Sequence, residues 1–406
     1  MNEMKRSSGA NMSDVKINNR TLILNQLKEG KKSRKDIAEK IKLTPASVTI
    51  LVNEMIQDGC IRETGQMEET LRVGRKKVFI EINKHYKYAI GVNIEPGTLS
   101  IGISNLKLEL VEYKDIDING MSVNQVMKTI IEITMEMLWN MNISKNDVLG
   151  VGVGIVGIVD SKKGISKRAY GLWKTPVDIE GILSDGLKLP VVVENNVRAL
   201  ALAEMELTKN KDIENMVFIK YGPGIGSATI TNKEIYKGTY NNAGELGHMI
   251  MDISGKECKC GQRGCLETVA STRAIIQDMK NAFSKEVLPI LYKLVEGNKE
   301  NIDEAAIMEA YKLGETEIVK EINKVWEYLG IGMVNMIKLF DPYKIVIYGE
   351  LFKDEEFLDK IVHEIEKYGN FDNITNRIQA SILDNKRCIG GVVLVVTELF
   401  YKKGGA

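Results

Sequence analysis

Glu245-Leu-Gly-His248, followed by Cys258-Lys-Cys260-Gly-Gln-Arg-Gly-Cys265-Leu-Glu267, is the densest concentration of chemistry in this chain of 406 residues. Three thiols and one imidazole match the number and softness of ligands that a tetrahedral zinc ion requires, and Gly261 and Gly264 let a loop this short fold back around the ion. With His248, Cys258, Cys260 and Cys265 all engaged, no ligand position is left for water. The site is therefore expected to be structural, one zinc per chain, aiming His248 so that its second ring nitrogen meets a ligand. The plainer alternative is a set of free, buried thiols beside an unrelated histidine. Three of the five cysteines crowd into eight residues, too close for a disulfide framework, which points to metal in a reducing compartment, the cytoplasm.

Outward from that stretch the composition is ordinary: Lys+Arg 55 against Asp+Glu 55, 44% hydrophobic and 27% charged. Disordered, collagen-like and coiled-coil chains are excluded. The length implies two to four domains, each able to bury a core without disulfides. The chain opens Met1-Asn-Glu-Met-Lys-Arg-Ser-Ser, with no apolar run near 18 residues, so neither export nor a membrane span is expected. Charge is uneven: residues 1–84 carry 17 Lys and Arg against 11 Asp and Glu, leaving 38 against 44 for the rest. A basic head precedes an acidic body.

Residues 1–15 read as a flexible arm. Asn18 or Asn19 is expected to cap a helix whose Leu22, Ile23 and Leu27 share one stripe up to Gly30. Ser33 caps Arg34–Ile41, and Thr44 caps a third helix with Pro45 at its first position and Val48, Leu51, Val52 and Met55 inward. Two alternating segments, 61–64 and 78–82, then flank the basic stretch Gly74-Arg75-Lys76-Lys77. Three helices and a strand–loop–strand make a winged helix-turn-helix over 16–84.

From Tyr88 onward strands and helices mix over about 300 residues, an α/β pattern. Glu95-Pro-Gly-Thr-Leu-Ser-Ile-Gly-Ile-Ser-Asn105 aligns with Gly222-Pro-Gly-Ile-Gly-Ser-Ala-Thr-Ile-Thr-Asn232 at an offset of 127 residues. In each copy an apolar strand enters a glycine turn and a second strand leaves it. Two copies so far apart imply a duplicated α/β lobe with a ligand cleft between the lobes.

The segment 245–267 resembles the signature of the ROK family (repressors, open reading frames and sugar kinases), in which Glu-x-Gly-His stands beside Cys-x-Cys-Gly-x-x-Gly-Cys-x-Glu. The resemblance runs through Gly150-Val-Gly-Val-Gly-Ile-Val-Gly-Ile-Val-Asp160, Val193-Glu-Asn-Asn-Val-Arg198 and Ala243-Gly-Glu-Leu-Gly-His248 to Ile389-Gly-Gly-Val, and the head is typical of the repressor branch. It implies a two-lobed, actin-like (sugar kinase and ribonuclease H-like) ATPase-type body over 85–406, lobe one about 85–200 plus a C-terminal helix and lobe two about 201–385. It also implies a sugar site in which Asn195, Asn196, Glu245, His248 and Glu267 hydrogen-bond the hydroxyls of a monosaccharide. Paired carboxylates and amides suit vicinal hydroxyls. The plainer alternatives are that Glu245 and Glu267 only orient the metal loop and that Asn195 is an ordinary turn residue.

Departures from the family's kinases decide between enzyme and regulator. Those kinases place Asp, the general base, where this chain has Asn196, and general-base help is worth about 10²–10⁴-fold. Their first phosphate loop, Asp-x-Gly-Gly-Thr, appears here as Asn93-Ile-Glu95-Pro96-Gly97, which adds a carboxylate and removes an N–H where phosphate approaches. Gly222-Pro-Gly-Ile-Gly-Ser227 retains three glycines, a weak signal alone. Tyr348-Gly349-Glu350 adds bulk and charge at the adenosine turn. No catalytic residue is assigned.

Function shifts to the head. Thr44, Ala46, Ser47 and Thr49, with Asn53 a turn further on, are expected to face base edges in the major groove; Arg34 and Lys35 suit phosphates, and Arg75 and Lys76 a narrow minor groove. The resulting reading is a repressor of a carbohydrate-utilisation operon, a homodimer or homotetramer on a palindromic, A/T-rich operator, released by a monosaccharide. The rival is an active ATP-dependent sugar kinase with an accessory head.

Overall fold

Caps set the head. The computed structural model describes residues 11–64, 78–208 and 213–405, and every statement on structure refers to these. The first helix, α1 (Met12–Lys28), starts earlier than its sequence implies. Asn11 accepts from the Asp14 backbone N–H at 2.9 Å, so the expected arm over 1–15 is corrected: its last four residues are helical, and 1–10 lie outside the described residues. The buried stripe of α1 is Ile23, Leu24 and Leu27, with Leu22 turned outward. The edge strand β1 (Lys32–Ser33) leads into α2 (Arg34–Ile41), which starts on a reciprocal capping box between Ser33 and Asp36. Thr44 caps α3 (Pro45–Gln57), whose Val48, Leu51, Val52 and Met55 are buried as expected. The strands β2 (Ile61–Thr64) and β3 (Phe79–Ile82) pair antiparallel, and β1 joins β3 from its other side. The wing tip, with Arg75 and Lys76, lies outside the described residues.

The chain divides into two compact units, residues 1–199 with 386–406, and residues 200–385. In the first, β4 (Tyr88–Glu95), β5 (Thr98–Asn105) and β6 (Leu110–Asp117) form an antiparallel meander. After α4 (Val123–Asn140), β7 (Val148–Ile155) lies parallel to β4. A small ribbon follows, β8 (Ile158–Asp160), β9 (Ile165–Arg168) and β10 (Val177–Asp178); then α5 (Ile179–Leu187), β11 (Val191–Asn195) parallel to β7, and α6 (Asn196–Leu207). The sheet order is β11-β7-β4-β5-β6.

The second unit repeats this plan. β12 (Met216–Lys220), β13 (Gly226–Thr231) and β14 (Glu234–Tyr236) form a meander. Then come α7 (Glu267–Ala270), α8 (Thr272–Ala282), α9 (Pro289–Leu294), α10 (Glu304–Lys312) and the long α11 (Thr316–Phe340). β15 (Lys344–Tyr348) pairs parallel with β12; α12 (Glu355–Tyr368) and α13 (Ile374–Arg377) lead to β16 (Ile378–Ala380), parallel to β15. Its order, β14-β13-β12-β15-β16, is the same third-second-first-fourth-fifth arrangement. The two stretches that align at the 127-residue offset fall on corresponding turns, between the first and second strand of each sheet. The fold is thus the duplicated, actin-like α/β body with a winged helix-turn-helix ahead of it.

The chain returns to the first unit as α14 (Ile389–Val395), continued by a wider π-type turn, Val396–Tyr401. Glycine explains how closely it lies on the sheet. A side chain at Gly91 would overlap the Cys388 carbonyl, and one at Gly152 the Gly391 carbonyl. The interiors are aliphatic, Ile90, Val92, Ile101, Val151 and Val153 in the first unit and Val217, Ile219, Ile322, Leu329 and Ile345 in the second, each worth about 1.5–3 kcal/mol when buried.

Candidate metal centre and ligand site

His248 ends a short 3-10 turn, Leu246–His248, and the cysteines follow on a loop pinned by backbone pairing of Ile250 with Cys265 and Glu257 with Arg263. The loop brings the four expected ligands together: one donor atom from each of His248, Cys258, Cys260 and Cys265 lies within 4.8 Å of all the others. Cys260 Sγ is 3.7 Å from Cys265 Sγ, and Cys258 Sγ is 3.5 Å from His248 Nδ1. Around a tetrahedral ion with bonds of about 2.3 Å to sulfur and 2.0–2.1 Å to nitrogen, these separations are about 3.8 and 3.5 Å. The set therefore fits one tetrahedral metal ion.

The electrostatics agree. Burial pushes the Cys258 thiol up and the Cys265 thiol up to about 12, so thiolates here need a cation beside them. Burial also holds His248 below its ordinary value, which keeps the imidazole neutral and able to ligate. Nδ1 faces the sulfurs, while Nε2 lies 3.9 Å from a Glu245 carboxylate oxygen.

Glu267 opens α7 just beyond the last cysteine and is nearly buried. One carboxylate oxygen accepts from the Ile225 N–H at 3.1 Å, and the other pairs at 2.7 Å with Lys259, between the first two metal-ligating cysteines. Gly224 makes room for this carboxylate, since a Cβ there would lie 2.9 Å from it. The glycine-rich loop 222–227 thus packs against a carboxylate, and its Ile225 N–H is spent on that group. Lys259 is not conspicuous in the sequence; only its place between two ligands marks it.

Asn195 ends β11 and Asn196 begins α6. The Asn195 side-chain oxygen accepts from the Val197 and Arg198 N–H groups at 2.9 and 3.2 Å, and its Nδ2 donates to the Gly157 carbonyl at 2.8 Å. It is a helix cap, with one Nδ2 hydrogen left for a ligand. Asn196 is buried. Its Nδ2 donates to Glu95 at 2.8 Å, and its Oδ1 has no partner among the described residues. Glu95 also accepts from Asn93 at 3.2 Å and pairs with Arg387 at 3.1 Å. Glu95 stands out in the sequence only as a departure from a phosphate loop, and Arg387 not at all. At the adenosine-turn position, Tyr348 donates to the Asp384 carbonyl and Glu350 accepts from Asn385 at 2.9 Å.

In the head, Thr44, Ala46, Ser47, Thr49 and Asn53 all lie on exposed positions of α3 or its cap. Thr44 accepts from the Ser47 N–H, and Thr49 donates to the Pro45 carbonyl. Ile50, 61% exposed among them, offers a branched apolar contact that the inward stripe had drawn attention away from. Arg34 is held by Asn53 at 3.0 Å and Glu63 at 2.8 Å, whereas Lys35 projects outward, 3.8 Å from Glu39. No helix among the described residues is long and apolar enough to cross a membrane.

The ROK family model matches residues 90–398, and the chain belongs to the ROK family. It is similar to the xylose repressor of Caldicellulosiruptor bescii, 26% identical over 94% of this chain and 96% of that one. A solved ROK family transcriptional regulator, a homolog of the E. coli MLC protein, superposes with a TM-score of 0.79 at 26% identity, covering 96% of this chain and 97% of that one. A ROK family glucokinase from Streptomyces griseus, in complex with glucose and AMPPNP, shares the fold at 23% identity and a TM-score of 0.66, over 76% of this chain and 98% of its own.

Proposed function

We propose that this protein is a sugar-responsive transcriptional repressor, not a kinase, acting in the cytoplasm on an operon for carbohydrate use. The observation that carries the reading is Asn196: where the family's kinases hold a base, an amide is turned onto Glu95 at 2.8 Å, in a chain that begins with a winged helix-turn-helix. An amide cannot take a hydroxyl proton, and a carboxylate in a phosphate loop repels phosphate. Similarity to repressors along nearly the whole chain supports the same conclusion.

The metal is zinc, held by His248, Cys258, Cys260 and Cys265. With four protein ligands it supplies no reactive position; it fixes the loop that carries Lys259 and orients His248. Glu245, His248 Nε2 and Glu267 are the proposed hydroxyl ligands of a monosaccharide, with Asn195 and Asn196 adding amides. On DNA, two heads of a homodimer or tetramer occupy the half-sites of a palindromic, A/T-rich operator. Thr44, Ala46, Ser47, Thr49 and Asn53 read bases, Arg34 and Lys35 contact phosphate, and Arg75 and Lys76 enter the minor groove. Sugar binding releases the operator because both half-sites must be engaged together.

Footprinting on DNA from upstream of the protein's own gene tests this. Two protected half-sites about one helical turn or its multiple apart are expected. Uniform, salt-sensitive protection without a footprint contradicts it.

A further inference from the structure

We infer that Arg387 is a positioning residue that joins Asn196 to the DNA-binding head through the C-terminal helix. The inference rests on the reading of Asn196 as a sugar ligand in one respect only, the origin of the signal; the mechanical link is drawn from contacts within one unit.

At one end of the link is a polar chain, buried at Asn196, Asn93 and Glu95 and half-buried at Arg387. Asn196 Nδ2 donates to Glu95 Oε1 at 2.8 Å, Asn93 Nδ2 donates to the same oxygen at 3.2 Å, and Arg387 Nη1 donates to Glu95 Oε2 at 3.1 Å. The Asn196 oxygen is buried without a partner among the described residues, an unfavourable state that a ligand hydroxyl would relieve. A hydroxyl donating to that oxygen completes the amide's hydrogen bonds while Nδ2 stays on Glu95, so that ligand, amide and Glu95 become one connected network.

Arg387 immediately precedes Cys388, the cap of α14, and α14 is packed too closely on the sheet to slide independently of it. Gly91, Gly152 and Gly391 bring backbone against backbone, so that a Cβ at any of them would overlap a neighbouring main chain. Packed elements of this kind shift as bodies rather than deform.

At the other end the same segment holds the head. Thr21 Oγ1 donates to the Tyr401 carbonyl at 2.8 Å, and Arg20 Nε donates to the Gly404 carbonyl at 2.7 Å. Lys28 lies over the Tyr401 ring at 3.9 Å from its centre. Gly404 and Gly405 fit against Arg20 and against Cys60 so closely that a Cβ would stand 3.0 and 3.1 Å from them. Arg20, Thr21 and Lys28 thus tie α1 to residues 401–404. A change in the Glu95–Arg387 pair reaches α1 through about four turns of helix.

The test uses full-length, zinc-loaded protein without ligand, comparing hydrogen exchange in wild type, Arg387→Met and Arg387→Lys. Arg387→Met is expected to speed exchange in both 389–405 and 12–28 by about five-fold or more, with Arg387→Lys closer to wild type and Met216–Lys220 unchanged. Unchanged exchange in 12–28 overturns the inference. A second variant, Thr21→Val, addresses the far end: its effect on exchange in 12–28 should shrink when combined with Arg387→Met, and strict additivity contradicts the link. Operator affinity measured with and without xylose, glucose and N-acetylglucosamine then separates the two claims. If a sugar weakens wild-type binding, Arg387→Met should keep the sugar-free affinity while the sugar's effect falls to within about two-fold. A full sugar effect in Arg387→Met overturns the inference. If no sugar acts on wild type, the origin of the signal is overturned with the proposed function, while the exchange result still decides the mechanical link.

Discussion

Asn196 donates its side-chain N–H to Glu95 across 2.8 Å, and both residues are buried. Two substitutions that look unrelated in the sequence, Asp to Asn at one position and Gly to Glu at another, are a single contact in the fold. Asp at 196 would place two carboxylates against each other, which disfavours ionising both.

Restoring the base therefore does not restore an enzyme. Asn196→Asp is expected to form no ADP from ATP with a panel of hexoses and pentoses in a coupled assay. Its melting temperature should fall below wild type at pH 7 and approach it near pH 4, where one of the paired carboxyls is protonated. Turnover in the wild type or in this variant favours the kinase reading.

The metal centre predicts a linked loss. Cys260→Ala leaves a cation with three ligands, and elemental analysis should show about one zinc per chain in wild type and far less in the variant. Because Lys259 and Glu267 are held by the same loop, monosaccharide affinity should fall with the zinc. Unchanged sugar affinity in a zinc-free variant contradicts this.

Arg34 and Lys35 differ in how far they are committed within the head. Lys35→Ala should lower the slope of log affinity against log salt by about 0.9. Glu63→Ala, which removes the carboxylate 2.8 Å from Arg34, should steepen that slope by releasing a guanidinium to phosphate. Equal slopes in all three proteins argue against both phosphate contacts.

Stability should depend on pH through Glu204. Burial raises its carboxyl above the ordinary 4.5, only partly offset by hydrogen bonds from Ser381 and the Ile382 and Leu383 N–H groups. A folded value above the unfolded one stabilises fully below the unfolded value and loses that contribution as pH climbs through the folded one. Glu204→Gln has no such loss, so its melting temperature relative to wild type should rise between pH 4.5 and pH 7.5. A difference that stays flat over that range removes Glu204 as the source.

Much of this was legible in the sequence because local signals and tertiary ones agree. Ser33 and Thr44 start helices where hydroxyl caps belong, and Val48, Leu51, Val52 and Met55 face inward at helical spacing. The four metal ligands crowd one short segment, so their convergence needed no long-range knowledge. What could not be read depends on contacts between distant positions. Arg387 meets Glu95 across 292 residues, and nothing near either announces the other. The early start of α1 turned on Asn11, which competes with equally plausible caps at Asn18 and Asn19. Ile50 falls outside the inward stripe of α3 and is exposed, but its helical spacing alone does not mark it as a contact.

The most direct measurement is fluorescence anisotropy of the zinc-loaded protein on DNA from upstream of its own gene and neighbouring operons, titrated with monosaccharides and their phosphates. The account predicts specific binding to one fragment, reversed by one sugar and insensitive to ATP. Absence of specific binding to every fragment, together with ATP-dependent phosphorylation of a sugar, would contradict it.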